Sequence, residues 1–122
     1  MALRCFIVDD SEPFLEAASA SLNRRKLEIV GTATTGEQAL RRVEELRPDV
    51  VLVDVSLGKE SGFDLARTLV DNYPWLGSRI ILISTRTEDD YADMIESSAA
   101  VGFLPKSKLS ATAIHKLVSA GG

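Results

Sequence analysis

The sequence predicts a three-layer α/β domain, with a five-stranded parallel sheet covered by helices on both faces. Short apolar runs alternate with amphipathic stretches five times along the 122 residues. Between Asp49 and Asp54 every residue is apolar, which is typical of a parallel strand that is covered on both faces. We therefore expect right-handed crossovers and a single domain over residues 1–122.

Three strands and two helices are predicted in the first half of the chain. The strands are the apolar runs Leu3 to Val8, Leu27 to Ala33 and 49–54. Ser11 is a candidate N-cap for the first helix, which carries an apolar stripe beginning at Phe14. The second helix opens at Thr35, with Gln38 three residues later as in a capping box. It ends before Pro48, because the residue before a proline avoids helical geometry.

The second half of the chain supplies the remaining elements. Gly62 begins a third helix, which Pro74 terminates. The fourth and fifth strands are predicted over Arg79 to Ser84 and Val101 to Leu104. A fourth helix is expected around Glu88 to Ala99, with apolar residues at helical spacing; they are Tyr91, Met94, Ile95 and Ala99. Ser110 caps the last helix.

Composition and charge exclude several classes of function. The net charge is −4, and residues of both signs are scattered along the sequence. Proteins that bind a nucleic-acid duplex normally carry a stripe of basic residues, so we expect no direct binding to nucleic acid. No apolar run approaches the roughly 20 residues of a membrane span, and residues 1–8 lack the pattern of a signal peptide. Cys5 lies in an apolar strand, which predicts a buried thiol in a reducing cytoplasm.

Polar residues end the predicted strands. Asp9 and Asp10 follow the first strand, Asp54 ends the third, Ser84 ends the fourth and Lys106 lies just beyond the fifth. Because the carboxyl ends of parallel strands share one edge of the sheet, we expect these side chains to be neighbours in space.

The chemistry of such a cluster points to a metal and a phosphoryl group. Crowded carboxylates repel one another unless a cation relieves them, and oxygen ligands suit Mg²⁺. Lys106 and Ser84 are suited to holding phosphoryl oxygens. Asp54 is the candidate nucleophile toward phosphorus, giving an acyl phosphate, and Asp9 and Asp10 are the candidate metal-holding pair.

The chain resembles the receiver domain of a bacterial two-component response regulator over essentially its whole length. The resemblance rests on Asp9-Asp10, Asp54, Gly62, Ser84 and Lys106 at the family's spacing. It implies a flavodoxin-like fold with strand order 2-1-3-4-5. It also implies phosphotransfer from a histidine kinase to Asp54, dependent on Mg²⁺ or Mn²⁺, in a signalling domain that is not an enzyme toward other substrates.

The resemblance further implies a role for each site residue. Asp10 and Asp54 would bind the metal directly, Asp9 largely through water, and Ser56 through its backbone carbonyl. Lys106 would pair with the phosphoryl group. Ser84 would move toward that group while Phe103 rotates inward. This would repack the face made by helix four, strand five and helix five, which the family uses for homodimers and for output, here predicted to be transcription.

Several positions depart from the commonest pattern of the family. Gly58 stands where proline is frequent, Thr85 stands where a small residue is usual, and Ser107 follows Lys106. Thr85, together with Ser56 and Arg86, is expected to set access to the site and the lifetime of the acyl phosphate. The string 102–107 resembles receivers joined to LuxR-type helix-turn-helix domains, so the chain is expected to be an excised fragment or a stand-alone regulator.

Other interpretations remain open at this stage. A haloacid-dehalogenase-like phosphohydrolase would place a second acid two residues after its nucleophile, where this chain has Ser56. A flavodoxin-like cofactor module would not place Asp9-Asp10 beside an anion. A third alternative is a pseudo-receiver that binds a partner without phosphorylation.

Individual residues also have structural explanations. Acids at strand ends commonly form turns and helix caps. Phe103 would then be a core aromatic, Gly62 an ordinary helix-start glycine, and His115 a residue at a solvated helix position.

Overall fold

A five-stranded parallel sheet forms the centre of the computed structural model, which describes residues 2–24, 26–86 and 88–121. The strands are β1 (Leu3–Val8), β2 (Leu27–Ala33), β3 (Val50–Asp54), β4 (Ile80–Ser84) and β5 (Gly102–Pro105). Their order across the sheet is β2-β1-β3-β4-β5, and every pairing is parallel. The predicted fold class and strand order are confirmed. A small antiparallel ladder, Ser56–Leu57 with Glu60–Ser61, was not expected.

The central strand β3 is buried along its whole length, between β1 and β4. Its side chains alternate between two apolar cores, as the period of a strand requires. Val51 and Val53 pack into the core beneath the second and third helices. Val50 and Leu52 pack into the opposite core, beneath the first and last helices. The sheet is therefore covered on both faces.

The helices are α1 (Glu12–Leu22), α2 (Gly36–Leu46), α3 (Gly62–Asn72), α4 (Ala92–Glu96) and α5 (Ala111–Gly121). The predicted caps form: the hydroxyls of Ser11, Thr35 and Ser110 each accept a hydrogen bond from the backbone N–H three residues later. The capping box is modified, because the Gln38 side chain accepts from the N–H of Thr34 rather than that of Thr35. In the described ranges, none of these helices has the length and apolar character needed to span a bilayer.

The prediction of a helix over Glu88 to Ala99 was wrong in its extent. The α-helical part is only Ala92–Glu96, preceded by a 3₁₀ turn over Glu88–Tyr91. Serine hydroxyls compete for the backbone at its end: Ser97 donates to the carbonyl of Asp93 and Ser98 to that of Ile95. Met94, one of the apolar residues at helical spacing, is 51% exposed.

In the part of the chain that the structure describes, side chains rather than another strand contact the outer edge of β2. Asn23 Oδ1 accepts from the N–H of Ile29 at 3.1 Å. The Arg42 guanidinium donates to the Thr32 carbonyl. Such contacts occupy backbone groups that an edge strand would otherwise offer to a second chain.

Trp75 and His115 both make structural contacts. Trp75 lies at the amino edge of the sheet, where its Nε1–H donates to the Pro48 carbonyl at 3.1 Å and the Arg47 guanidinium stacks 4.0 Å from its ring centroid. His115, predicted at a solvated helix position, is half-buried, and its Nε2 lies 2.8 Å from the carbonyl of Lys26 in an exposed contact. It therefore joins α5 to the segment before β2.

We predict that the Cys5 thiol is inert in the folded protein. The side chain is fully buried in β1, and burial raises the pKa of the thiol from 9.0 to about 12. Because the folded pKa is the higher one, ionisation of the thiol favours unfolding as the pH rises above 9.0. A disulfide reagent at pH 8 should label Cys5 only at the denaturant concentrations that unfold the chain. Rapid stoichiometric labelling in native buffer would contradict the buried position.

Candidate functional site

Three acids and an amine meet at the carboxyl edge of the sheet. Asp9 follows β1, Asp54 is the last residue of β3, and Lys106 follows β5. Carboxylate oxygens of Asp9, Asp10 and Asp54 lie within 4.8 Å of one another. The parallel topology thus brings together side chains that the sequence separates widely.

The carboxylates of Asp9 and Asp54 are oriented by the same local device. In each case Oδ1 accepts a hydrogen bond from the backbone N–H two residues later, from Ser11 to Asp9 at 2.9 Å and from Ser56 to Asp54 at 2.8 Å. This is the turn that aspartate favours where a strand ends. It fixes each carboxylate so that Oδ2 faces the space between the two strand ends.

Lys106 fills that space with its ammonium group. Its Nζ lies 2.6 Å from Asp9 Oδ2 and 2.8 Å from Asp54 Oδ2, and its side chain is only 15% exposed. One cation therefore serves two buried carboxylates. One ammonium neutralises only one of these two carboxylates, and Asp10 adds a third carboxylate to the cluster.

The protonation equilibria reflect this shortage of positive charge. Burial raises the pKa of Asp9; Lys106 and the Ser11 N–H oppose the shift, and neighbouring Asp54 adds to it. Burial alone would lower the pKa of Lys106, but its contacts with Asp54 and Asp9 outweigh that effect and raise it. Both shifts favour the protonated form of the group, so the cluster binds protons more readily than its separate side chains would.

The donor set fits a divalent cation that prefers oxygen. Asp9 Oδ2 is buried and, among the described residues, makes no hydrogen bond beyond its ion pair with Lys106. Asp10 is exposed and open to solvent. Gly58 lies next to this carboxylate, since a Cβ at position 58 would be 3.6 Å from Asp10 Oδ2. The φ of Gly58 is +63°, a backbone conformation that favours glycine. Carboxylate oxygens without nitrogen or sulfur partners suit Mg²⁺ or Mn²⁺.

Ser84 lies in the same region as the last residue of β4. It is 4% exposed, and its Oγ accepts from the backbone N–H of Arg86 at 3.1 Å. The hydroxyl therefore anchors the segment that follows β4. Thr85 and Arg86 themselves are exposed beside the site.

Phe103 points inward from β5 and is 5% exposed. Its ring centroid lies 6.3 Å from that of Tyr91, which in turn lies 6.0 Å from that of Phe63. These tilted rings form a row from β5 through the 3₁₀ turn to α3. An inward position is expected both for a core aromatic and for the rotated state of a switch residue.

Two contacts at the site were missed by sequence reasoning. Glu60 accepts from the N–H of Gly36 through both carboxylate oxygens, at 3.1 and 3.2 Å. It thereby joins the loop after β3 to the first turn of α2. Phe14, expected only in a helix stripe, has its ring centroid 4.0 Å from Lys106 Nζ. Each contact joins distant segments, so local sequence patterns carry no signal for it.

Comparison with known proteins identifies the family. The response regulator receiver domain family matches residues 5–119. The chain belongs to this family.

The relatives of this receiver domain include a protein-glutamate methylesterase/protein-glutamine glutaminase and a transcriptional regulatory protein. Protein-glutamate methylesterase/protein-glutamine glutaminase 3 of Geobacter sulfurreducens is 31% identical over 105 residues, 85% of this chain and 28% of the relative. Transcriptional regulatory protein DegU of Brevibacillus brevis is 28% identical over 123 residues, 98% of this chain and 51% of the relative. The chain thus spans between about a quarter and about half of these proteins.

Solved structures support the fold. The crystal structure of a LuxR-family two-component response regulator from Aurantimonas sp. SI85-9A1 has a TM-score of 0.85. The two chains are 22% identical, and the match covers 98% of this chain and 87% of the other. At that identity, the likeness shows a shared fold alone.

Gly62 of the receiver domain is required by the backbone of the site. A Cβ at this position would lie 1.9 Å from the carbonyl oxygen of Asp54. The Gly62 N–H also donates to the carbonyl of Val55 at 3.0 Å. The start of α3 therefore packs directly against the backbone that carries Asp54, and Gly62 is more than an ordinary helix-start glycine.

We predict that Gly62→Ala destabilises the domain by about 3 kcal/mol or more, because the added methyl must displace the backbone of β3. Gly77→Ala is a matched control, since among the residues that the structure describes its Cβ would meet only the Pro74 carbonyl oxygen at 3.4 Å, with φ at −60°. That control should change stability by less than about 1 kcal/mol. Urea unfolding of both variants checks this, and equal midpoints would contradict the close approach.

Proposed function

We propose that residues 1–122 form a single receiver domain that accepts a phosphoryl group on Asp54 from the phosphohistidine of a sensor histidine kinase. The supporting observation is the ammonium of Lys106, held between Asp9 and Asp54 at 2.6 and 2.8 Å beside a third acid. This combination of a nucleophile, a fixed positive charge and spare oxygen ligands suits phosphoryl transfer, which depends on positioning and charge neutralisation.

The proposed step is a displacement at phosphorus. A carboxylate oxygen of Asp54 attacks, a P–O bond forms, and the P–N bond to the donor imidazole breaks, with its electron pair remaining on nitrogen. Lys106 is already in contact with Asp54 Oδ2, so its ammonium is in place to neutralise the incoming oxygens. The Ser56 N–H, bonded to Asp54 Oδ1, orients the carboxylate during the approach.

The metal in this proposal is Mg²⁺ or Mn²⁺. Asp10 and Asp54 would bind it directly, Asp9 largely through water, and Ser56 through its backbone carbonyl. When bound, the cation neutralises charge on the phosphoryl oxygens. The buried Asp9 Oδ2 and the exposed Asp10 carboxylate support this assignment. The cluster has three carboxylates and the single ammonium of Lys106, so negative charge remains for a metal to neutralise.

The response to phosphorylation would involve Ser84 and Phe103. The Ser84 hydroxyl would turn toward the phosphoryl group and give up its hydrogen bond with the Arg86 N–H. Phe103 would hold or adopt its inward position against Tyr91. Both changes would alter the face made by α4, β5 and α5, the proposed surface for homodimers and output. Thr85, Arg86 and Ser56 would set the access of donors and of water.

Transcription is the proposed output. It is supported by the likeness of the 102–107 string to receivers of the LuxR-type group and by the similarity to DegU, a transcriptional regulatory protein. The methylesterase relative supports a second candidate, control of an enzyme domain. Under both, the receiver domain acts in the cytoplasm by changing its protein contacts, and it does not itself bind nucleic acid or membrane.

We predict that Lys106→Met strengthens Mg²⁺ binding about three- to tenfold, because the ammonium and the metal compete for the same carboxylates. The apolar stem is kept, so packing is little changed. Titration calorimetry of the unphosphorylated protein measures the change. Lys108→Met, at an exposed position, is the control and should bind as the wild type does. Unchanged or weaker binding by Lys106→Met would exclude this competition.

We predict that acetyl phosphate with Mg²⁺ adds one phosphoryl group to the wild-type protein, and that Asp54→Asn abolishes the addition. Intact-protein mass spectrometry detects the product, and beryllofluoride provides a stable mimic. Asp71→Asn, at an exposed position of α3, should be phosphorylated normally.

Dimerisation provides a second readout. Any dimer that forms on phosphorylation should be lost in Asp54→Asn and retained in Asp71→Asn. A wild type that stays unmodified where another receiver reacts would refute the proposed function.

A further inference from the structure

The ring of Phe14 lies against the ammonium that serves the site. Lys106 Nζ is 4.0 Å from the ring centroid, well within the range of a cation–π contact. The same nitrogen is held by Asp9 and Asp54. Three elements therefore fix one ammonium group: the ends of β1 and β3, and the first turn of α1.

The position of Phe14 is itself fixed through Asp9 and Ser11. Asp9 Oδ1 accepts from the N–H of Ser11 at 2.9 Å, and Ser11 Oγ accepts from the N–H of Phe14 at 3.4 Å. The Phe14 ring contacts Lys106, whose ammonium returns to Asp9 Oδ2. These contacts form a closed cycle of four residues: Asp9, Ser11, Phe14 and Lys106. Because one carboxylate orients both the helix cap and the lysine, the position of the aromatic ring and that of the ammonium are coupled.

The aromatic ring shields the Lys106 ammonium from water on the side that the carboxylates leave open. A lysine side chain is flexible and its ammonium is strongly hydrated, so two acids alone would leave one side of it open to water. Phe14 is half-buried and packs against the apolar core formed by α1 and α5. Its electron-rich face covers the ammonium, and Lys106 is only 15% exposed as a result of the whole enclosure.

We propose that Phe14 is a positioning residue for phosphoryl transfer, which holds the Lys106 ammonium at the point where it meets Asp54. This inference rests on the proposed function of Asp54. When an oxygen of the phosphoryl group replaces a carboxylate oxygen as partner of Lys106, the contact with the ring keeps the ammonium from returning to solvent. Phe14 touches neither the phosphoryl group nor the metal in this account, and it acts through the lysine.

The test compares side chains of different electronic character at position 14. Phe14→Leu keeps an apolar cover without an aromatic face, whereas Phe14→Tyr and Phe14→Trp keep the face. With acetyl phosphate and saturating Mg²⁺, we expect Phe14→Leu to be phosphorylated about tenfold more slowly, and the Tyr and Trp variants within about twofold of the wild type. Stepwise fluorination of the Phe14 ring, which weakens its negative face at nearly constant shape, should lower the rate progressively.

Trp75→Leu is the matched control. It removes the second cation–π contact found among the described residues, that of Arg47 with Trp75 at the amino edge of the sheet. This variant should lose stability but keep the wild-type rate. Thermal unfolding of each variant separates an effect on the site from an effect on the fold.

An NMR measurement tests the contact without phosphorylation. The ring current of Phe14 should move the Lys106 ε-methylene protons upfield in the wild type, and Phe14→Leu should remove the shift. If the shift is absent, or if Phe14→Leu reacts at the wild-type rate, the positioning role is wrong. If the shift is present but the wild type accepts no phosphoryl group, the proposed function fails and the positioning role fails with it, while the contact itself stands.

Discussion

The sharing of one ammonium between two buried carboxylates is the constraint on which the site depends. Two acids at neighbouring strand ends would repel each other across a poorly solvated gap, and Lys106 relieves that repulsion for Asp9 and Asp54. The relief is incomplete because one positive charge faces two negative ones, and Asp10 adds a third carboxylate. The domain therefore folds with a surplus of negative charge at one edge of its sheet, and a second cation is the natural complement of that surplus.

The strands and the convergence of the acids were predictable from the sequence for physical reasons. A strand that is apolar on every residue requires two covered faces, and a sheet covered on both faces by crossover helices is parallel. From there the clustering of Asp9, Asp54 and Lys106 follows from topology alone. The observed strand ends differ from the predicted ones by at most one residue, because turn residues and prolines mark them in the sequence.

The features that were mispredicted depend on contacts between distant segments or on competing local hydrogen bonds. The apolar spacing of Tyr91, Met94 and Ile95 is helical, but the serines that follow bind the backbone and end α4 early. Glu60 has the composition of a loop tip, yet it caps α2 because the fold places Gly36 beside it. Phe14 was correctly placed on the inner stripe of α1, but its neighbour Lys106 lies near the other end of the chain.

The distribution of contacts around Asp54 decides where a disturbance at the site can spread. On one side, the loop after β3 is braced by its small ladder, by Glu60 on Gly36, and by the close packing of Gly62 against the Asp54 carbonyl. On the other side, none of the α4 residues is buried, and Ser84 holds the segment after β4 through the Arg86 N–H. Segments with few buried contacts rearrange at the lowest cost in free energy. Under the proposed function, a phosphoryl group on Asp54 is therefore expected to displace α4 and the 3₁₀ turn before it rather than the braced loop, and the contact of Tyr91 with Phe103 is the route that we propose from there to β5.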